Sequence, residues 1–344
     1  MSADDQIFTS ILSQISQTPQ KKRIFDEQIS RKPDNYPWTK DFMDAIWHGF
    51  WTADEFNFIS DYSQFYNDLT EQQRGIVVRT LSAIGQIEVA VKTFWAKLGD
   101  TLPHPSVRDL GYAMANNEVI HNFAYEKLLT VLGLEDAFDA TLDEPVIKGR
   151  VDYLRKYLKK IYQDDKKQFV YALALFTLFV ENVSLFSQFY IIKHLNKDGG
   201  LLKDTAQQVM YTMQEEELHS QVGIKLINTI REEYPELFDA ELEARIIQEC
   251  KEAITHEVNV IKWILGDYEK EGLNVDILTA FITKRMADAM DQIGVNHGLT
   301  YIKKDYNQAK WFDVASRGVN LVDFFASRPV DYAKGKGVDV EDLF

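Results

Sequence analysis

The sequence predicts an all-α protein, a bundle of long helices with additional helices around it and a flexible C-terminal tail. Three observations carry that expectation. Apolar residues recur at three- and four-residue spacing through the middle of the chain, no stretch alternates as a half-buried strand would, and the breaks fall on Gly and Pro. The periodic runs cover roughly 69–98, 105–133, 145–163, 166–195, 201–234, 240–271 and 274–297. Between them lie Gly99-Asp100, Pro103-His104-Pro105, Gly133, Asp198-Gly199-Gly200, Pro235 and Gly272.

Taken in order, the run at 69–98 carries the stripe Val77, Leu81, Ile84, Glu88, Val91 and Trp95, apolar except for one acid. The run at 105–133 carries Val107, Gly111, Met114, Glu118, His121, Tyr125 and Leu128. At 166–195 the stripe is Ala174, Leu178, Glu181, Leu185, Phe189 and Ile192; at 201–234 it is Val209, Thr212, Glu216, His219, Gly223, Leu226 and Ile230. The apolar stretch from Phe169 to Val180 stops at Glu181 and is too short to span a bilayer, so it reads as a buried helix. The runs at 145–163, 240–271 and 274–297 supply helices that pack around these four.

Four helices thus each turn an acid inward, and two of them add a His three residues later. Residues three apart share a helix face, so Glu118 with His121, and Glu216 with His219, each offer a carboxylate and an imidazole to one point. On one helix alone, a buried Glu or His has a local explanation in an Arg or a backbone donor. Repeated on four helices in the order Glu, Glu-x-x-His, Glu, Glu-x-x-His, it points to a shared cause. Four carboxylates and two neutral imidazoles are balanced by two divalent cations. Oxygen-rich ligation with one imidazole per metal suits iron or manganese better than zinc or calcium. Ferritin-like dimetal carboxylate proteins have this arrangement. Of the neighbouring acids, Glu217 reads as part of a solvated face. Tyr125, one turn beyond His121 on the inward face, is placed where a high-valent cluster could oxidise it by one electron.

Composition excludes other classes. A formal charge of −15 argues against nucleic-acid binding, and the short basic clusters Lys21-Lys22-Arg23 and Lys159-Lys160 have acids nearby. Cys250 is the only cysteine and reads as a buried small residue, which excludes an intrachain disulfide framework. The N-terminus shows no secretory signal, so a cytoplasmic protein that enters no membrane is expected. The expected division is a flexible N-terminal segment over 1–25, a helical domain over 26–317 and a flexible tail over 318–344. The tail contains Pro329, Gly335 and Gly337 and ends in alternating apolar and acidic residues from Val338 to Phe344, the pattern of a segment that folds on a partner with Leu343 and Phe344 as anchors.

From about Trp51 to the C-terminus the chain resembles the small (β) subunit of class I ribonucleotide reductase. The resemblance rests on the ordered residues Glu88, Glu118, His121, Glu181, Glu216 and His219, with Tyr125 at the radical-tyrosine position. It implies that two metal ions per chain, iron, manganese or one of each, generate a radical oxidant after reaction with an oxygen species. That oxidant is passed to a cysteine of a large (α) subunit, where ribonucleotides become deoxyribonucleotides. It implies that Trp51, Glu215 and His121 form the inner end of the route, that Tyr332 hands the radical across the subunit interface, that the C-terminal tail binds the large subunit and that the chain forms a homodimer. The single cysteine agrees, because the thiols must come from another chain. Two positions depart from the common pattern: Glu88 and Glu215 stand where many members have Asp, which leaves the metal identity open. The rival readings are another ferritin-like oxidase acting directly on a bound substrate, and a metal-storage protein.

Overall fold

The computed structural model describes residues 22–158, 165–197 and 200–317, apart from the side chains of 88–90, 154–158 and 313–317. Tyr332 and the 318–344 tail lie outside the described residues. Among the described residues there is no strand, and the one backbone bridge outside the helices pairs Lys270 with Leu273.

The long helices begin where a side chain can satisfy free N–H groups. Helix α1 spans Trp38–Gly49 and α2 spans Ile59–Asn67. Helix α3, Glu71–Ala96, opens on a reciprocal pair in which Thr70 Oγ1 accepts from Gln73 N and Gln73 Oε1 accepts from Thr70 N. Helix α4, Pro105–Leu132, starts with a proline that needs no N–H partner and stops at Gly133, whose φ of +67° ends the helix in the left-handed region. Short α5 (Glu135–Thr141) and α6 (Pro145–Leu158) follow. Helix α7, Lys166–Leu175, runs through a π-helical segment, Phe176–Ser184, into α8, Phe186–Lys197. Helices α9 (Lys203–Glu233), α10 (Ala240–Leu265), α11 (Val275–Gln292) and α12 (Lys303–Arg317) follow.

Helices α3, α4, α8 with its π-helical lead-in, and α9 form the centre, with α3 laid along α4 and α9 against α4, α8 and the π segment. Helices α10 and α11 cover the outer side of α7 and the π segment. Two glycines permit close approaches between the central helices. A Cβ on Gly223 of α9 would collide with Thr177 Oγ1, and one on Gly111 of α4 would lie 2.7 Å from the carbonyl of Trp95.

As the run over 166–195 implies, one buried helical rod continues past Glu181: Lys166–Lys197 is long and apolar enough, by length and composition alone, to cross a membrane, yet its most apolar stretch is completely buried in protein. Its middle is π-helical, which a stripe of threes and fours does not reveal. Helices α1, α2, α5 and α12 lie outside the periodic runs read from the sequence, and each packs against other parts of the chain. Helix α2 shows this. Its Asp61 is buried and caps α9 from a distance, its Oδ2 accepting from Thr205 N at 2.7 Å and Thr205 Oγ1 at 2.8 Å. At the other end of α9, Ile24 is fully buried and donates its N–H to Glu233 Oε2 at 2.6 Å. Packing therefore begins slightly before the expected boundary at residue 26.

Candidate metal centre

The stripes read from the sequence face one another. Glu118 and His121 on α4, Glu181 in the π segment, and Glu216 and His219 on α9 are all fully or almost fully buried. Position 88 falls in the stripe of α3 whose neighbours Ile84 and Val91 are buried, while the Glu88 side chain lies outside the described residues. Ligand atoms of Glu118, Glu181, Glu216 and His219 lie within 4.8 Å of one another.

The two acids on the Glu-x-x-His phrases stand between the imidazoles. Glu118 turns Oε1 to His219 Nδ1 at 2.9 Å and Oε2 to His121 Nδ1 at 3.2 Å. Glu216 repeats this, with Oε2 3.7 Å from His219 Nδ1 and Oε1 3.3 Å from His121 Nδ1. Glu181 Oε2 is 3.5 Å from His219 Nδ1. Two carboxylates that each span two imidazoles make a site with two foci.

Charge and hydrogen bonding both fit metal ions there. Glu118 Oε1, Glu181 Oε2, both Glu216 oxygens and both His219 nitrogens are buried without an aligned hydrogen-bond partner, an arrangement that is costly unless a cation fills it. Burial and the adjacent Glu216 charge push the Glu181 carboxyl well above the usual carboxylate range. Burial disfavours the charged form of His219, but Glu118, Glu181 and Glu216 outweigh it and raise its pKa well above the ordinary value. For Glu216, burial is outweighed by contacts with Glu181, His121 and His219, which hold it below the usual range. In Glu118, burial and Glu216 act upward, but the two imidazoles prevail and lower it. Protons on Glu181 and His219 thus supply positive charge that divalent cations would replace. The donor set, carboxylates with two imidazoles, fits a dinuclear metal site.

Around this cluster the structure brings together Trp51, Glu215 and His121. The buried Trp51 donates its Nε1–H to Glu215 Oε2 at 2.7 Å, and the same oxygen lies 2.8 Å from His121 Nε2. Tyr125 is buried, and its hydroxyl donates to Thr212 Oγ1 at 3.4 Å, one turn before Glu216 on α9. A cleft of about 290 Å³ reaches Tyr125 between Gly85, Asn122, Leu129 and Phe138.

One further residue, Trp95, acts directly on a ligand candidate. Trp95 Nε1–H donates to Glu181 Oε1 at 2.8 Å. The sequence placed Trp95 on the acid-bearing stripe and read it as packing; a buried indole usually finds an acceptor, which was the available signal. Glu217 corrects an expectation: its Oε2 accepts from the buried Arg285 at 2.7 Å and is not part of a solvated face. Arg285 also donates its Nε–H to the carbonyl of Asn182 at 2.7 Å, and Arg150 donates to that of Ser184 at 2.5 Å. Buried guanidinium groups thereby meet carbonyls of the π segment that carries Glu181. No sequence periodicity links residues 103 positions apart, such as Asn182 and Arg285.

Residues 28–299 match the family model for the ribonucleotide reductase small chain. A probable ribonucleoside-diphosphate reductase small subunit of Invertebrate iridescent virus 3 is 23% identical over 331 residues, covering 92% of this chain and 87% of that protein. The ribonucleoside-diphosphate reductase subunit beta of Treponema pallidum is 21% identical over 315 residues, covering 90% and 88%. The ribonucleotide reductase R2 subunit of Clostridium botulinum shares the fold with a TM-score of 0.75 at 19% identity, over 86% of this chain and 98% of that one. An R2-like ligand-binding oxidase with a Mn/Fe cofactor does so with a TM-score of 0.65 at 19% identity, over 76% and 94%. The helical bundle is thus the ferritin-like fold of R2 proteins, and with the match extending over residues 28–299 the chain belongs to the ribonucleotide reductase small-chain family.

Proposed function

We propose that this chain is the radical-generating small subunit of a class I ribonucleotide reductase and acts in complex with a large subunit that reduces the nucleotide. The observation that carries the reading is the hydrogen-bonded line from His121 through Glu215 to Trp51. A direct oxidase or a storage protein has no need of it.

In this reading Glu88, Glu118, His121, Glu181, Glu216 and His219 would hold two metal ions, iron, manganese or one of each. Such a centre supplies one-electron oxidising power once it has reacted with an oxygen species. Tyr125 gives up an electron and its phenolic proton, and its burial shields the resulting radical from water. When the large subunit is engaged, oxidation passes out through Trp51 to Tyr332, and the tail over 318–344 makes the docking contact. Exposed Tyr112, Val119 and Phe123 along α4, with Trp47 and Phe50 at the end of the adjoining α1, support a homodimer in which a second copy covers this face. A cytoplasmic location follows from the same role.

A second reading, a ferritin-like oxidase acting directly on a small substrate, is favoured by the cleft at Tyr125 and by the R2-like oxidase among the similar structures. Low-temperature electron paramagnetic resonance with metal analysis, followed by nucleotide-reduction assays with the large subunit, separates the two. Tyr125→Phe is expected to remove a tyrosyl signal while keeping the metals, and deletion of residues 338–344 to keep metals and radical while removing reduction. Full nucleotide reduction without the tail would overturn its docking role.

A further inference from the structure

Trp51 is only 1% exposed, so any oxidising equivalent that reaches it must leave through a neighbour. Among the described residues, three rings lie against it. His121 stacks on it at 6.1 Å with an interplanar angle of 26° and belongs to the cluster side. Phe56 meets it edge-on at 5.9 Å, but a benzene ring without a hydroxyl cannot be oxidised by an indole radical. Tyr211 meets it at 5.8 Å and 61° and also contacts Phe56 at 5.6 Å. Unlike Trp51, Tyr211 is only half-buried.

The helix explains the placement. Tyr211 precedes Glu215 by one turn of α9, so both side chains lie on one face. Trp51 spans that face, its Nε1–H on Glu215 and its ring against Tyr211.

We infer that Tyr211 is a redox-active relay that takes the oxidising equivalent from Trp51 and carries it toward the protein surface; the inference rests on the reading of the chain as a radical-transferring subunit. In this step Tyr211 gives one electron to the one-electron-oxidised Trp51, whose indole returns to its closed-shell form. The phenolic proton of Tyr211 passes to water, leaving a neutral phenoxyl radical at 211. A later electron and proton from the next tyrosine toward the large subunit restore the phenol.

The test uses the full chain with its metals, its large subunit and nucleotide. Tyr211→Phe keeps the ring contacts and removes the oxidisable hydroxyl, so nucleotide reduction is expected to fall about tenfold or more at unchanged metal content and unchanged Tyr125 radical yield. With 3-aminotyrosine in place of Tyr211, turnover is expected to trap an aminotyrosyl radical at 211, visible by electron paramagnetic resonance. Full turnover in Tyr211→Phe, with Trp51→Phe inactive, would overturn the relay while leaving the route through Trp51 intact. Full turnover in Trp51→Phe would overturn the radical-transfer reading and the relay with it. Lost turnover in Tyr211→Phe without a trapped radical in the aminotyrosine protein would assign the loss to packing and also overturn the relay.

Discussion

Trp95 and Glu181 are joined by an indole N–H to carboxylate hydrogen bond of 2.8 Å, both side chains being fully buried. The bond occupies Oε1, and Oε2 is left turned toward His219. Trp95 thus leaves Oε2 as the oxygen of Glu181 that would be open to a cation.

Trp95→Phe keeps most of the ring volume and removes the donor. A hydrogen bond to a charged acceptor contributes about 1.5–3 kcal/mol, so metal affinity should fall about tenfold or more. Manganese titration would measure the affinity, and infrared difference spectra the carboxylate stretch. Identical values in variant and parent would show that Glu181 is fixed by other contacts.

Glu118→Ala is expected to abolish stoichiometric metal binding, because the two oxygens of Glu118 face both imidazoles, at 2.9 and 3.2 Å. Elemental analysis of the purified variant checks this. Metal content equal to that of the parent would refute the two-focus site.

Asp61→Ala should destabilise the protein without touching the cluster. The carboxylate accepts from Asp204 N at 3.2 Å as well as from Thr205, so three donors at the start of α9 lose their acceptor. The cost is about 2–3 kcal/mol, read as a lower denaturant midpoint. Asp61→Asn should recover part of it; no change in either variant would mean that water replaces the cap.

Metal loading should release protons and tighten as pH rises. Glu181 and His219, both with raised pKa values, hold protons that must leave for a cation to enter. The metal-free fold binds these protons more tightly than the unfolded chain does, so their stabilisation is present at low pH and is lost as pH climbs through the raised values. The metal-free protein should therefore lose stability on the alkaline side while the loaded protein does not. Melting curves of both forms between about pH 6 and about pH 9 test the sign, and parallel curves would contradict it.

The central helices were legible because burial imposes a repeat of three and four on side chains, and an acid breaking that repeat is conspicuous. Glu118, Glu181, Glu216 and His219 converge, and His121 lies beside Glu118 and Glu216. What the stripes could not give is set by contacts between distant parts of the chain. Asp61 caps a helix more than 140 residues later, Arg285 reaches the π segment from α11, and Glu217 is drawn out of solvent by that same arginine. The π segment was hidden for a different reason: all nine residues of Phe176–Ser184 are buried, so no exposed face marks the change of repeat.

The rod from Lys166 to Lys197 has a consequence for how the protein is made. It packs against α9, α10 and α11, all of which follow it in the chain. A ribosome therefore exposes a segment apolar enough to enter a bilayer well before its covering helices have been synthesised. Apolar surface left uncovered during that interval favours aggregation, so slowed translation beyond residue 197 is expected to lower the yield of folded protein, which a comparison of slow- and fast-codon genes would check.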